Sequence, residues 1–147
     1  MTATLYTIGF TKSSAEHFFG RLRAAGVRRL IDVRLHNTST LAGFTRRDDL
    51  AFFLREVLNA QYVHQPLLAP TPEMLKAYQA KEVGWEAYER LYLELIASRL
   101  VETALTRTDF EGPSVLLCSE ATPEHCHRRL AAAHLAHAWG SLDVVHL

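Results

Sequence analysis

Cysteine, net charge and long apolar segments are all scarce in this sequence, and each shortage excludes a class of protein. Two cysteines in 147 residues are too few for a disulfide-stabilised scaffold. Basic and acidic residues number 16 each, so the formal net charge is zero and no overall field attracts nucleic acid or an anionic membrane. Any anion binding is therefore expected to be local.

Segments that would direct the chain to or across a membrane are not indicated. No apolar run approaches the roughly 18 residues that cross a bilayer, so we expect no membrane contact. Residues 1–4 lead into an apolar segment without a basic stretch, which does not indicate a signal peptide. We therefore expect a cytoplasmic protein with two reduced thiols.

The residues that are abundant suit one globular unit. Apolar residues make up 48% of the chain, with seven Phe, five Tyr and two Trp, which is enough for one continuous core. We find no internal repeat, no low-complexity tract and no linker rich in Pro, Gly or Ser. We therefore expect a single domain over residues 1–147.

Short apolar segments alternate with amphipathic ones along the chain. Five of the short segments predict strands, at residues 5–8, 29–33, 61–64, 114–118 and 142–146. Strands that alternate with helices imply right-handed crossovers. The sequence therefore predicts an α/β fold with a mostly parallel sheet of about five short strands and helices on both faces.

Capping residues and prolines predict where the first helices begin and end. Ser13 and Glu16 form a capping box that opens the first helix, which ends at Gly26. The prolines at positions 66, 70 and 72 predict an extended, irregular connection. Between these segments lies a second helix, whose apolar face is formed by Leu50, Phe53, Leu54 and Val57.

Two more helices are predicted in the second half of the chain. An aromatic and aliphatic stripe at helical spacing predicts the longest helix over residues 85–105. Pro123 suits a first helical position, with Thr122 as the N-cap, and opens a helix that runs to about Trp139.

The carboxyl edge of the sheet is the predicted ligand site. In open parallel sheets, ligands bind outside the carboxyl ends of the strands. This rule selects the loops after Ile8, Val33, His64 and Cys118. Those loops carry polar side chains that we expect to converge, namely Thr11, Lys12, Arg34, His36, Glu120, His125 and Arg128.

The densest group of reactive side chains lies in residues 118–129. The start of a helix favours an anion and lowers the pKa of a nearby thiol. Cys118 is the candidate nucleophile, with Glu120 or His127 as general acid or base. His125 and Arg128 are candidate ligand-binding residues. Alternatively, a cysteine here only packs as a small apolar group, since Cys126 shares a helical face with Leu130, Ala133 and His137.

A metal site is a second interpretation of the same residues. Cys118, Cys126 and either His125 or His127 offer soft ligands. Their C-x7-C-H spacing contains only one close pair and matches no paired C-x2-C arrangement. The sequence therefore predicts no bound zinc, and no other cofactor is indicated.

A second group of polar residues follows the strand that ends near Val33. Asp32 is placed to orient Arg34, and the hydroxyl-rich loop that includes His36 is placed to surround a polar ligand. The alternative is that Asp32 and Arg34 form an ion pair that only seals the strand end. Thr11, after the first strand, is a further candidate, although one glycine there is too few for a dinucleotide-binding fingerprint.

Several motifs together resemble a known family. They are Tyr6-Thr7-Ile8-Gly9, Asp32-Val33-Arg34, Tyr62-Val63-His64, Leu116-Leu117-Cys118-Ser119-Glu120 and Cys126-His127-Arg128-Arg129-Leu130. Over nearly the whole chain they look like the domain-of-unknown-function 488 family. The resemblance implies the fold and the location of the site without naming a reaction. The recurrent positions of that family map here onto Asp32, Arg34, Cys118, Glu120, Cys126, His127 and Arg128.

This chain departs from the family's pattern at two places. Many members have a proline in a DVR-x-x-P-x-S loop and a histidine after the first glycine. Here the loop reads Asp32-Val33-Arg34-Leu35-His36-Asn37-Thr38-Ser39, and Phe10 follows Gly9. A role that depends on that histidine is therefore not expected.

Two functions are compatible with these residues. The first is an enzyme, or a degenerate enzyme, that binds an anionic, phosphate-bearing small molecule or nucleotide, with Arg34 and Arg128 on the anion. The alternative is a non-catalytic nucleic-acid or protein-partner binding module. Its contacts would be Arg34, Arg46, Arg47, Arg128 and Arg129. Zero net charge counts against the alternative.

Overall fold

A five-stranded sheet, in which every strand pair is parallel, forms the centre of the molecule. The computed structural model describes residues 3–39, 42–110, 112–120 and 122–147. The strands are β1 (Ala3–Gly9), β2 (Arg29–Asp32), β3 (Gln61–His64), β4 (Ser114–Cys118) and β5 (Leu142–His146). Their order across the sheet is β3-β2-β4-β1-β5. The predicted α/β fold is confirmed.

Helices cover both faces of the sheet. The helices α1 (Ala15–Ala24) and α2 (Arg47–Leu58) pack on one face, and α4 (Trp85–Ser98) and α6 (His127–Trp139) pack on the other. Side chains of β4 alternate between the two cores, as in any strand. Val115 and Leu117 join the core of α1 and α2, whereas Leu116 and Cys118 join the core of α4 and α6. The alternation therefore turns Cys118 toward α6.

The first helix begins one residue later than predicted. The hydroxyl of Ser14 accepts a hydrogen bond from the backbone N–H of His17, so Ser14 and not Ser13 is the N-cap. The Ser13 hydroxyl instead donates to the carbonyl oxygen of Ser14. Gly26 follows the helix with a φ of +69°, in the left-handed region that glycine adopts readily.

The proline-rich connection contains helical structure, so the prediction of an extended segment was wrong. A 3-10 turn occupies Pro66–Leu68, and helix α3 occupies Pro72–Gln79. Thr71 caps α3 by accepting from the backbone N–H of Met74. Pro72 is tolerated because the first residue of a helix needs no N–H for an intrahelical bond.

The predicted longest helix over residues 85–105 is interrupted. Helix α4 ends at Ser98, Leu100 has a left-handed φ of 51°, and α5 (Val101–Ala104) is a separate single turn. Arg99 lies at the break, where its Nη1 donates to the carbonyl oxygens of Leu67 and Ala69. These long-range bonds, which the local periodicity does not encode, accompany the interruption.

The sequence predicts Pro123 as the first residue of the last helix, but helix α6 begins at His127. Its N-cap is Cys126, whose backbone is extended, so Thr122 is not the N-cap. The backbone N–H of Cys126 donates to the carbonyl oxygen of Pro123, which places the proline in a turn before the helix. The start of α6 therefore lies four residues later in the chain than predicted, at His127 itself.

Candidate functional site

A small cavity lies at the carboxyl edge of the sheet, where the central strand β4 ends. Its volume is about 160 Å³, and the loops after β2 and β4 and helices α3 and α4 contribute its walls. Of the predicted site residues, those that line it are Arg34, His36, Cys118, Glu120, His125 and His127. Three others, Thr11, Asp32 and Arg128, lie behind the walls or beside them.

Cys118 and His127 form a pair at the buried end of the cavity. The Sγ atom of Cys118 lies 3.5 Å from Nδ1 of His127. Nε2 of His127 lies 2.8 Å from the carbonyl oxygen of Val33. Because a carbonyl oxygen can only accept, Nε2 carries the proton and Nδ1 has none. Sγ of Cys118 lies 3.7 Å from Nε2 as well, so the thiol packs against the ring between its two nitrogens. His127 is therefore close enough to take the proton of Cys118 after a rotation of the ring that turns Nδ1 toward the thiol.

The two thiols differ in acidity although both are buried. A hydrogen bond from the Cys126 thiol lowers the pKa of Cys118; burial opposes it, while the Ser119 amide and the Arg128 charge reinforce it. The same hydrogen bond, together with burial, raises the pKa of Cys126 well above its ordinary value. Cys118 is therefore the thiol that forms a thiolate more readily.

Asp32 and Arg34 form a buried ion pair beside the cavity. Asp32 accepts from Nε and Nη2 of Arg34, each at 2.9 Å, and from the Tyr62 hydroxyl. Nη2 of Arg34 also donates to the carbonyl oxygen of Thr45 at 2.7 Å. Its guanidinium lies 5.2 Å from the ring centre of Phe10, the residue that departs from the family's pattern. The pair seals the strand end, yet Arg34 also reaches the cavity wall.

Arg128 is completely buried under the loop that follows β4. Its Nε lies 3.3 Å from the Thr7 hydroxyl, and its Nη1 donates to the carbonyl oxygen of Glu120. The Thr7 hydroxyl proton is then free for Nδ1 of His146, 2.6 Å away. Arg128 therefore supports the loop and supplies positive charge behind Cys118, and it does not line the cavity.

Comparison with known proteins gives one match. The family model described as "Domain of unknown function DUF488" matches residues 14–135. The chain belongs to this family. No curated protein and no solved structure matches it.

The remaining predicted residues of this DUF488 chain lie around the cavity mouth. The Thr11 hydroxyl donates to the carbonyl oxygen of Ser119, which joins the loops after β1 and β4. The His125 ring stacks on Trp85, with ring centres 5.0 Å apart and planes inclined by 19°. His36 is exposed at the rim. Among the described residues, no helix is long and apolar enough to cross a membrane.

One wall of the DUF488 cavity is formed by residues that the sequence did not indicate. Leu75, Tyr78 and Gln79 line it from α3, and Tyr88 lines it from α4. The unrecognised signal was Thr71 followed by proline, which is an N-cap and a first-turn proline in sequence. Tyr62, whose hydroxyl contacts Asp32, was seen only as part of a strand, and burial first, then that contact, raises its pKa.

Proposed function

We propose that the protein is an enzyme, or a degenerate enzyme, that binds a phosphate-bearing small molecule or nucleotide at the carboxyl edge of the sheet. The observation that carries this proposal is the pairing of the Cys118 thiol with His127. The imidazole is fixed by its bond to Val33, and both side chains open onto one cavity. A nucleophile, its base and the group that orients the base are the usual parts of a thiol catalyst.

The size of the cavity limits which part of a ligand it holds. A water molecule occupies about 30 Å³ in the liquid. A cavity of about 160 Å³ therefore accommodates a phosphate group and a few further atoms. Pockets that enclose a drug-sized ligand measure about 300–1,000 Å³. The rest of a nucleotide would extend over the rim, where His36 and His125 are exposed.

The preference of this cavity for an anion comes from N–H groups that point into it, and less from the net charge of its walls. Asp32 offsets the charge of Arg34, but Nη1 of Arg34 makes no hydrogen bond to the described residues and is left for a ligand. The positive end of α6 adds to this preference. Glu120 lies at the same wall and opposes it, so its role in the proposal is to exchange a proton with the leaving group.

The proposed reaction uses residues at the cavity and water. Cys118 gives its proton to Nδ1 of His127 and attacks the phosphorus of the bound ester. The S–P bond forms as the bond to the leaving oxygen breaks, and His127 or Glu120 protonates that oxygen. Water then hydrolyses the S–P bond and restores the thiol. Arg128 stays behind the loop as a positioning residue.

Alkylation of the native protein tests the nucleophile. We expect iodoacetamide to modify Cys118 at least about tenfold faster than Cys126, because His127 contacts Cys118 and the pKa of Cys118 is lowered while that of Cys126 is raised. His127→Gln keeps a donor for Val33 but removes the base, so it should slow the modification of Cys118. Ser119→Ala, at the same wall, is the matched control. Equal modification of both thiols, or faster modification of Cys126, would contradict the assignment.

Protection experiments test the anion. Phosphate, sulfate or a mononucleotide should slow alkylation of Cys118, and Arg34→Lys should weaken that protection about tenfold or more, as expected for one charge-assisted contact. Lysine is preferred to alanine because it keeps a cation beside the buried carboxylate of Asp32. No protection at tens of millimolar, on the order of the weakest useful affinity, would refute anion binding.

The alternative nucleic-acid module has less support. Of its five arginines, Arg34 and Arg128 are buried, Arg46 pairs with Asp49, and Arg129 contacts Glu89. The two buried arginines are not accessible to a phosphate backbone, and in Arg46 and Arg129 a carboxylate competes with it for the guanidinium.

A further inference from the structure

Three metal-binding atoms converge at the buried end of the cavity. The Sγ atoms of Cys118 and Cys126 and an imidazole nitrogen of His127 all lie within 4.8 Å of one another. All three residues are at most 6% exposed. The sequence spacing did not predict this cluster, because it depends on α6 beginning at His127 with Cys126 as its N-cap, next to the end of β4.

The separation of the first two ligands fits a tetrahedral ion. Zinc binds sulfur at about 2.3 Å and imidazole nitrogen at about 2.0–2.1 Å, so the two atoms are about 3.5 Å apart when the angle is tetrahedral. Sγ of Cys118 and Nδ1 of His127 are 3.5 Å apart. The Cys126 sulfur lies no more than 4.8 Å from either, so a shift of about 1 Å would bring it to the tetrahedral separation.

The surroundings of His127 also fit a metal ligand. Histidines that bind metals almost always donate their second ring N–H to a carbonyl or carboxylate, which fixes the tautomer and the ring orientation. Nε2 of His127 makes this bond to the carbonyl oxygen of Val33 at 2.8 Å. Nδ1 is therefore left without a proton, and because Sγ of Cys118 lies 3.5 Å from Nδ1 and 3.7 Å from Nε2, the ring must rotate for Nδ1 to share an ion with the thiols.

We propose that Cys118 Sγ, Cys126 Sγ and His127 Nδ1 bind one zinc-class divalent ion, with a fourth position open to the cavity. Binding exchanges two thiol protons for the ion, so two thiolates and a dication leave this buried site without net charge. Three protein ligands with one open position are typical of catalytic zinc sites, whereas closed structural sites have four. The proposal requires no ligand in the cavity and does not depend on thiol catalysis.

Cobalt titration of the reduced, chelated protein in phosphate-free buffer tests this site. We expect thiolate-to-cobalt charge-transfer absorption that saturates at one Co²⁺ per chain and disappears when Zn²⁺ is added. Cys126→Ser should weaken binding at least about 100-fold, the upper range for loss of a second-shell partner alone. His125→Ala, which removes an exposed imidazole nearby, should leave the affinity unchanged.

Two outcomes would overturn the proposal. One is binding by Cys126→Ser as tight as by the native chain, and the other is loss of binding in His125→Ala with Cys126→Ser unaffected. Thermal melts give a second measurement, since Zn²⁺ should raise the Tm of the native protein and of His125→Ala but not of Cys126→Ser. Cys118→Ser takes the place of Cys126→Ser if the latter does not fold. Because the metal ions are added without substrate, failure here leaves the alkylation result untouched.

Discussion

At Gly9, strand β1 passes so close to the loop after β4 that a Cβ would lie 1.6 Å from the carbonyl oxygen of Glu120 and 2.8 Å from Nη1 of Arg128. The first atom belongs to the backbone and cannot move aside by rotating a side chain. The same carbonyl accepts the hydrogen bond from Arg128. The absence of a side chain at Gly9 therefore allows Arg128 to hold the loop in place.

We expect Gly9→Ala to destabilise the protein by at least about 1–3 kcal/mol, the usual effect of overpacking a closely packed site. Gly20→Ala is the matched control, because Gly20 is exposed in α1 and a Cβ there meets nothing within 4 Å. That change should be neutral or stabilise by about 0.5–1 kcal/mol. Denaturant unfolding measures both, and an equal effect of the two changes would show that the close approach at Gly9 carries no strain.

Individual strands and helices show which sequence patterns were sufficient to predict their bounds. The strands β3, β4 and β5 have the predicted bounds, because each is a short run between turn residues. The three prolines at positions 66, 70 and 72 predict an extended connection, but proline at the first position also begins a helix, as Pro72 does in α3. The break at Leu100 depends on contacts made by Arg99 with a distant segment, and local spacing contains no information about them.

The corrected start of α1 can be tested by two adjacent substitutions. We expect Ser14→Ala to lower the free energy of unfolding by about 1 kcal/mol, the typical effect of losing an N-cap side chain. Ser13→Ala should have a smaller effect, because the bonds of its hydroxyl to the Ser14 carbonyl and to Arg21 are long, at 3.2 Å and 3.4 Å. Denaturation of both variants under identical conditions gives the comparison. A larger loss for Ser13→Ala would favour the original capping-box prediction.

Helices α5 and α6 are joined by a pair that should give a measurable pH dependence. Nε2 of His134 lies 2.8 Å from a carboxylate oxygen of Glu102. This hydrogen bond, followed by one from the Glu102 backbone, lowers the pKa of Glu102 from its ordinary value. The folded state therefore binds this proton less readily than the unfolded state. The stability that the carboxylate adds is present above the ordinary pKa of about 4.3 and is lost as the pH falls through the lowered value.

Glu102→Gln should consequently reduce the loss of stability between about pH 5 and pH 3, the range around and below the ordinary glutamate pKa. The measurement is the free energy of unfolding at several pH values in that range. Glu94→Gln, on the exposed side of α4, is the control and should leave the pH dependence unchanged. An identical acid dependence in the native chain and Glu102→Gln would show that the contact with His134 has no effect on stability.

For the molecule as a whole, topology predicted which loops enclose the cavity better than it predicted the contacts of their residues. The rule that ligands bind at the carboxyl edge of a parallel sheet selected the loops that form the cavity. The orientation of each side chain instead depends on partners far away in sequence. His127 meets Val33 across 94 positions, and Arg128 meets Thr7 across 121. No local pattern encodes these contacts, so the sequence left Glu120 and His127 as alternative partners of Cys118 and did not predict the burial of Arg128.

The charge distribution of the whole chain gives a last prediction, which separates the two candidate functions. A protein that binds nucleic acid through 6–10 phosphate contacts loses about 10³–10⁵-fold in affinity between 50 and 200 mM salt. Here the net charge is zero, two of the five candidate arginines are buried, and two are engaged by carboxylates. We expect any affinity for a single-stranded oligonucleotide to be weak and to change less than about tenfold over that range, which corresponds to about two phosphate contacts or fewer.

Fluorescence anisotropy with a labelled oligonucleotide at several salt concentrations makes this measurement. Arg47→Glu, an exposed position at the start of α2, is the informative variant, since it should leave the weak binding nearly unchanged if no basic surface exists. Phosphate protection of Cys118 should persist at 200 mM sodium chloride, because a contact inside a cavity is screened less than one on the surface. Tight oligonucleotide binding that falls steeply with salt and is abolished by Arg47→Glu would favour the nucleic-acid module over the enzyme.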